Sequence, residues 1–367
     1  MPFDLAIARG RASGVPATRS RRAVSVWLFL ICFMLLGMIA LGGATRLTGS
    51  GLSIMEWAPI SGILPPLTHQ AWEHLFALYK QIPQYKLEHS GFGLSGFQHI
   101  FWLEWIHRFW GRLTGIAFLV PLIYFAVTGQ IRRGLLPGLI LIFFLGAMQG
   151  FVGWFMVASG FLPDTIHVAA SRLVVHLVFA LVLYVAIFWV AMTEWTPIPA
   201  AAPGAVGLRR LVWAVVVLTS LTIVAGGFTA GTRAGYVFNT FPLMDGRLVP
   251  RDYATLTPFW LNWFQNLAAV QFDHRLLATL TGIAALAATL WGTSRALPLP
   301  QGARDALSAL GMTLVVQYAL GIATLLLVVP VDLATLHQVV AVLLLSAALI
   351  ALHSLRGARP LSRNEVR

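Results

Sequence analysis

Cysteine is almost missing from these 367 residues. The single one, Cys32, lies inside an apolar run, which excludes an intrachain disulfide framework and any cysteine-based zinc or iron–sulfur site. Charge is scarce too. Only 10% of the residues carry it, against roughly 25% in soluble domains, which argues against a soluble globular enzyme. Acids are the rarer sign, 13 against 25 Lys+Arg, and only Lys80 and Lys86 are lysines. The net charge of +12 does not point to nucleic acid, because a face for DNA or RNA needs a largely polar surface. Here 58% of the residues are hydrophobic and the mean hydropathy is +0.79. The short alternating segments of a membrane β-barrel are absent as well.

What the sequence does have is long apolar runs. Eight of them, at about 24–45, 105–127, 134–158, 167–192, 209–231, 266–292, 305–328 and 334–354, are each long enough to cross a hydrocarbon core of roughly 30 Å. The pattern predicts an all-α integral membrane protein. Fifteen of the 25 basic residues flank the runs on one side: Arg9, Arg11, Arg19, Arg21, Arg22, the pairs at 132–133 and 209–210, Arg295, Arg304, and four in the tail. The positive-inside rule then places both termini in the cytoplasm or matrix and the long loops 46–104 and 232–265 outside. Their aromatics, among them Trp57, Trp72, Trp102, Trp260 and Trp263, are expected to form an interfacial belt, with lids over a bound group as the alternative.

The chain repeats itself. HRFWGRLTGIA at 107–117 aligns without gaps to HRLLATLTGIA at 274–284, sharing 7 of 11 residues. Gln149 and Gly153 match Gln317 and Gly321, and His176 matches His337. The first run ends in Gly42, Gly43 and Arg46, and the fifth in Gly226 and Gly227 with Arg233 soon after. The Pro/Ala/Gly stretch 196–207 has linker character. The organisation expected is two fused, pseudo-symmetric four-helix bundles. A basic segment 1–23 precedes a half at 24–192; a linker at 193–208 leads to a second half at 209–354 and a tail at 355–367.

His107, His176, His274 and His337 each fall in the outer part of an even-numbered run. Ionisable groups at membrane depth are costly and mostly functional. Two imidazoles facing each other across a four-helix bundle suit bis-histidine haem ligation, whereas zinc would want further ligands. The other histidines, at 69, 74, 89, 99, 167 and 353, are expected at the surface or interface. Arg46, Arg108, Arg233 and Arg275 sit where guanidinium forks would meet haem propionates; lipid headgroups or helix ends are the alternative partners. The repeat breaks at one place that bears on chemistry. Glu104 stands three residues before His107, on the same helix face, whereas Gln271 stands three before His274. Glu104 is the candidate catalytic carboxylate. A helix-start acid favoured by the dipole is the alternative use. Asp273 is expected to make a structural hydrogen bond.

GGATRLTGSGLSIMEWAPISGILPP (42–66), EWIHRFWGR (104–112), NTFPLM (239–244), VQFDHR (270–275) and LHQ (336–338) together resemble haem A synthase, over about residues 24–354. The likeness is to its mitochondrial and alphaproteobacterial branch, since the outer-loop cysteine pair of other bacterial members is missing. The resemblance implies oxidation of a haem O methyl group to the formyl group of haem A for haem-copper oxidases. It implies that His107 and His176 flank the substrate site with Glu104. His274 and His337 would hold a haem b cofactor. It also implies an inner-membrane protein that receives haem O from haem O synthase and exchanges electrons with a partner protein, in contact with membrane lipid and with homo-oligomer formation open. The alternative is a dihaem b-type electron-transfer cytochrome with no chemistry of its own.

Overall fold

The computed structural model describes residues 18–59, 61–163 and 165–360. Arg9, Arg11, Arg363 and Arg367, part of the sidedness argument, lie outside the described residues. Eight helices long and apolar enough to cross a membrane coincide with the expected runs. They are α1 (Thr18–Leu47), α2 (Leu94–Val127), α3 (Leu136–Val157), α4 (Ala170–Trp195), α5 (Val206–Gly231), α6 (Leu267–Thr293), α7 (Gln301–Leu326) and α8 (Val331–Ser354). Between α7 and α8, Val328 and Val329 both adopt the left-handed region, at φ 60° and 59°. β-Branched residues reach that region only under strain, so the turn that launches α8 is sharply fixed.

In each half the helices close a ring of neighbours, α1–α2–α3–α4 and α5–α6–α7–α8. The halves meet through α4 with α5 and α1 with α8, a pair of contacts that the repeat makes equivalent, and through α4 with α8. In lipid, helices associate by close packing rather than by expelling water, which favours small residues where they meet. The second half follows this rule. Its core is rich in alanine, including Ala285, Ala288, Ala303, Ala347, Ala348 and Ala351. The first half packs larger side chains, with Trp27 between Phe118 and Phe125 and its Nε1 donating to the Ala117 carbonyl. Across the halves, the Tyr184 and Ser346 hydroxyls share a buried hydrogen bond of 2.8 Å. The linker is not free chain. Its strand β1 (Ala201–Pro203) pairs in parallel with β2 (Gly357–Arg359) of the tail.

Three expectations need correction. First, α2 begins at Leu94, not near 105. Its extra turns carry Phe97, Ile100 and Phe101, which pack against Leu52, Phe76, Tyr79 and Ile82 of the long loop rather than lipid. Second, that loop is a folded cap with helices His69–Tyr79 and Pro83–Leu87, the first capped by Thr68. Trp72 sits inside this cap, its ring 4.8 Å from Phe101, and so is not a belt residue. Trp57, Trp260 and Trp263 are exposed, as a belt requires. Third, His353 is buried, edge-on to Trp189 and 3.3 Å from Thr193 Oγ1. Its place near the end of α8 suggested an interface, but α4 covers it.

Candidate functional site

The four repeat-matched histidines project from α2, α4, α6 and α8 towards the end that carries the long loops. His107 on α2 and His176 on α4 stand on the two facing helices of the first ring, as His274 on α6 and His337 on α8 do in the second. Each half thus brings together the two imidazoles that the sequence paired.

Every ring rests its Cε1 edge on a glycine of a neighbouring helix. A Cβ placed on Gly42 would stand 3.1 Å from His107 Cε1, on Gly153 3.0 Å from His176, on Gly226 3.0 Å from His274 and on Gly321 2.9 Å from His337. In all four the order of approach is Cε1, then Nδ1, then Nε2, so the ring meets the glycine with its Cε1 edge and a nitrogen on either side of it. The glycine that follows Gly42 or Gly226 faces the other half. Gly43 abuts Gln338, whose Nε2 donates to the Ile39 carbonyl, and Gly227 abuts Val174 and Leu177.

His274 Nδ1 donates to the Thr222 carbonyl at 3.1 Å. A carbonyl only accepts, so the proton sits on Nδ1 and the lone pair on Nε2, the form an iron ligand needs. Gln149 Nε2 lies 3.2 Å from His176 Nδ1 and donates to the His176 carbonyl at 3.0 Å. The Nδ1 atoms of His107 and His337 are buried and have no partner. Among the described residues no cluster of three or more His, Cys, Asp or Glu side chains forms. Two imidazoles per half, with no third ligand beside them among the described residues, fit a haem iron better than a tetrahedral metal.

Glu104 is buried, 2% exposed and well inside α2, which removes the helix-start alternative. Its Oε2 accepts from Ser53 Oγ at 2.7 Å and from Ile54 N at 2.9 Å. Its Oε1 accepts twice from Arg108, at 3.0 and 2.6 Å. Arg108 also donates to the Ile54 and Glu56 carbonyls. The second half builds the same knot with opposite polarity. Gln271 Nε2 donates to the Ala234 and Phe238 carbonyls, Gln271 Oε1 accepts from Arg275, and Arg275 donates to the Phe238 and Thr240 carbonyls. The first loop offers an N–H, which only an acceptor satisfies, beside a hydroxyl that donates to the same oxygen; the second offers carbonyls, which need a donor. Local bonding alone therefore asks for a carboxylate at 104 and an amide at 271.

The other arginines have protein partners as well. Arg46 donates to the Ala230 carbonyl across the halves. Arg233, at φ 62°, places Nη1 2.6 Å from His167 Nε2. Burial, reinforced by the Arg233 charge, holds the His167 pKa below its ordinary value. Arg275 Nε is buried and unpartnered. Asp273 accepts from the Tyr253 hydroxyl at 2.9 Å, the structural bond expected of it.

The profile of the cytochrome oxidase assembly protein family matches residues 25–349. A haem A synthase of Granulibacter bethesdensis is 58% identical over 94% of this chain and 90% of its own length. The haem A synthase 2 of Acidiphilium cryptum is 50% identical, covering 92% and 93%, and that of Nitrosospira multiformis 46%, covering 92% and 94%. The chain belongs to the haem A synthase family.

The motifs through which the sequence resembles haem A synthases converge on these contacts. Segment 42–66 supplies Gly42, Ser53, Ile54 and Glu56, and 104–112 supplies Glu104, His107 and Arg108. Thr240 comes from 239–244, Gln271, His274 and Arg275 from 270–275, and His337 with Gln338 from 336–338. Sequence reasoning noticed the glycines only as markers of the repeat. Their pairing with histidines across helices was not foreseen, nor was Glu194. That buried acid at the opposite end of this haem A synthase relative binds Arg21 at 2.9 Å and Arg132 at 2.6 Å. One signal was available: matched Gly and His at equivalent places in both halves.

Proposed function

We propose that this chain oxidises the methyl group of haem O to the formyl group of haem A, with substrate in the first half and a haem b in the second. The observation that carries this reading is the duplicated pair of glycine-seated histidines, joined in one half only to a buried carboxylate. His107 and His176 are the substrate's axial partners. His274 and His337 are the residues that would hold the haem b, which supplies one-electron redox capacity when bound.

Without a cysteine thiolate, the electron push used for oxygen activation is not available. The methyl carbon is instead oxidised in two two-electron steps, each followed by addition of water. The resulting gem-diol loses one water to give the aldehyde. In balance, the methyl group and one water give the formyl group, four protons and four electrons. The electrons leave through the second half to an acceptor protein. Both oxygens of Glu104 are committed to Arg108, Ser53 and Ile54. Its part is therefore to fix negative charge one turn from His107, where positive charge develops on the reacting carbon. Arg108 and Arg275 tie down the loops over the two sites, and Arg275 retains a free N–H for a propionate. The setting is an inner membrane with both termini cytoplasmic, and haem O arrives from haem O synthase.

The test is pyridine haemochrome and mass analysis of haems extracted after incubating the purified protein with haem O and an electron acceptor. Haem A is the expected product, and His107→Ala abolishes it while the haem b of the second half remains. Reversible haem b reduction with no haem A would leave only an electron carrier. A protein that binds no haem at all would refute both.

A further inference from the structure

We infer that Gly42, Gly153, Gly226 and Gly321 are positioning residues. Each seats the Cε1 edge of one imidazole and so sets the rotation of that ring. This rests on the proposed haem sites but concerns the histidines themselves, and it stands on three observations. All four rings are seated, with the approach falling between 2.9 and 3.1 Å. The same ring edge meets the glycine each time, although four different helix pairs are involved. The third observation is selectivity among the glycines of the same helices. Gly150, three residues before Gly153, and Gly115, on the His107 helix, have nothing within 4 Å of an added Cβ.

The physical reason lies in the helix surface. A histidine side chain turns freely about its last bond until something blocks one edge, and only a residue without Cβ lets the ring edge reach the backbone of the next helix. At one of the four seats the approach also brings Nδ1 to the carbonyl one turn before the glycine. For Gly226 that carbonyl belongs to Thr222, and the bond is present at 3.1 Å. Contacts this short are tighter than nearly all that a real Cβ makes, so alanine at these sites requires the ring to shift or tilt by a few tenths of an ångström.

The experiment compares Gly42→Ala, Gly153→Ala, Gly226→Ala and Gly321→Ala with Gly115→Ala and Gly150→Ala in the purified, haem-loaded protein. Low-spin electron paramagnetic resonance reads the rotation of the imidazole planes, and the midpoint potential reads the ligand field. Gly226→Ala and Gly321→Ala shift both readouts for the haem of the second half alone. Gly42→Ala and Gly153→Ala shift them for the first half alone, and the two control variants shift neither. Unchanged signals in the four, or equal changes in the controls, overturn the proposal. Should an alanine variant fail to fold, His337→Gly removes the clash and admits free imidazole as the probe. Adding Gly321→Ala to it then raises the half-saturating imidazole concentration about tenfold or more. Equal imidazole affinity with and without Gly321→Ala refutes the seat. Failure of haem A production leaves this result intact, because haem spectra and imidazole binding do not require turnover.

Discussion

Replacing Glu104 by glutamine changes one atom and should cost far more than its size suggests. The carboxylate serves four donors: Ser53 Oγ, Ile54 N and two nitrogens of Arg108. An amide keeps one accepting oxygen. If that oxygen faces Arg108, the new NH2 confronts the Ile54 N–H, leaving a buried donor unpaired at about 1–3 kcal/mol; the Ser53 hydroxyl can rotate and accept. If the amide flips, two guanidinium donors are orphaned instead, and the first arrangement wins. The loss of the Arg108 ion pair adds to this, since stripping one partner from a buried pair costs about 3–5 kcal/mol in full and the amide oxygen retains part of it. The total expected for Glu104→Gln is about 2–4 kcal/mol, concentrated at the 53–56 junction. Hydrogen exchange at the amides of residues 52–58 and protease cleavage of the cap read this directly. Gln271→Glu should be comparably costly in the second half, because it aims a carboxylate at the Ala234 and Phe238 carbonyls. Exchange rates in Glu104→Gln within a factor of about two of the parent would refute this reasoning, and would move the weight of Glu104 wholly onto the reaction.

At the opposite end, Glu194→Gln leaves one amide oxygen for Arg21 and Arg132 on a side chain only 3% exposed, and about 2–4 kcal/mol of stability is the expected loss. Thermal unfolding in detergent measures it, and Arg132→Gln, whose partner keeps Arg21, should cost less. His167 accepts from Arg233 only while neutral, and the charged and titratable groups around it are Arg233, Glu88 and Arg46. Its folded pKa lies below 6.5, so the unfolded chain takes up protons first; the latch is fully present above pH 6.5 and is lost as pH falls below it. Exchange at 166–171 should therefore quicken on acidification in the parent but not in His167→Gln.

Which parts of this molecule were legible in its sequence follows from how far each signal reaches. Hydrophobic length reports on the surrounding lipid, so all eight spans could be found. It failed at 94–104, because Phe97 and Phe101 are equally apolar whether they face acyl chains or Tyr79 and Phe76. The four histidines stood out because duplication supplied an internal control, and the Glu104/Gln271 difference stood out for the same reason. The meaning of that difference was not legible. It depends on whether the loop opposite presents N–H or C=O, which is a matter of backbone turn and not of residue type. His353 was expected at the surface or interface and Glu194 escaped notice because burial at a helix end is decided by neighbours distant in the chain, Trp189 and Thr193 for one, Arg21 and Arg132 for the other.

The adjoining glycines give the duplication a consequence of its own. Gly42 touches the histidine of its own half and Gly43 the residue after the other half's His337, while Gly226 and Gly227 reach His274 and the residue after His176. The two copies are therefore cross-stitched, each lending one backbone turn to the other's ligand helix. Either half made alone would expose its second glycine and its share of α8 or α4 to lipid. Two copies that began as duplicates can no longer be unpicked, and the histidine pair of one is joined to that of the other by packed helices without crossing a loop.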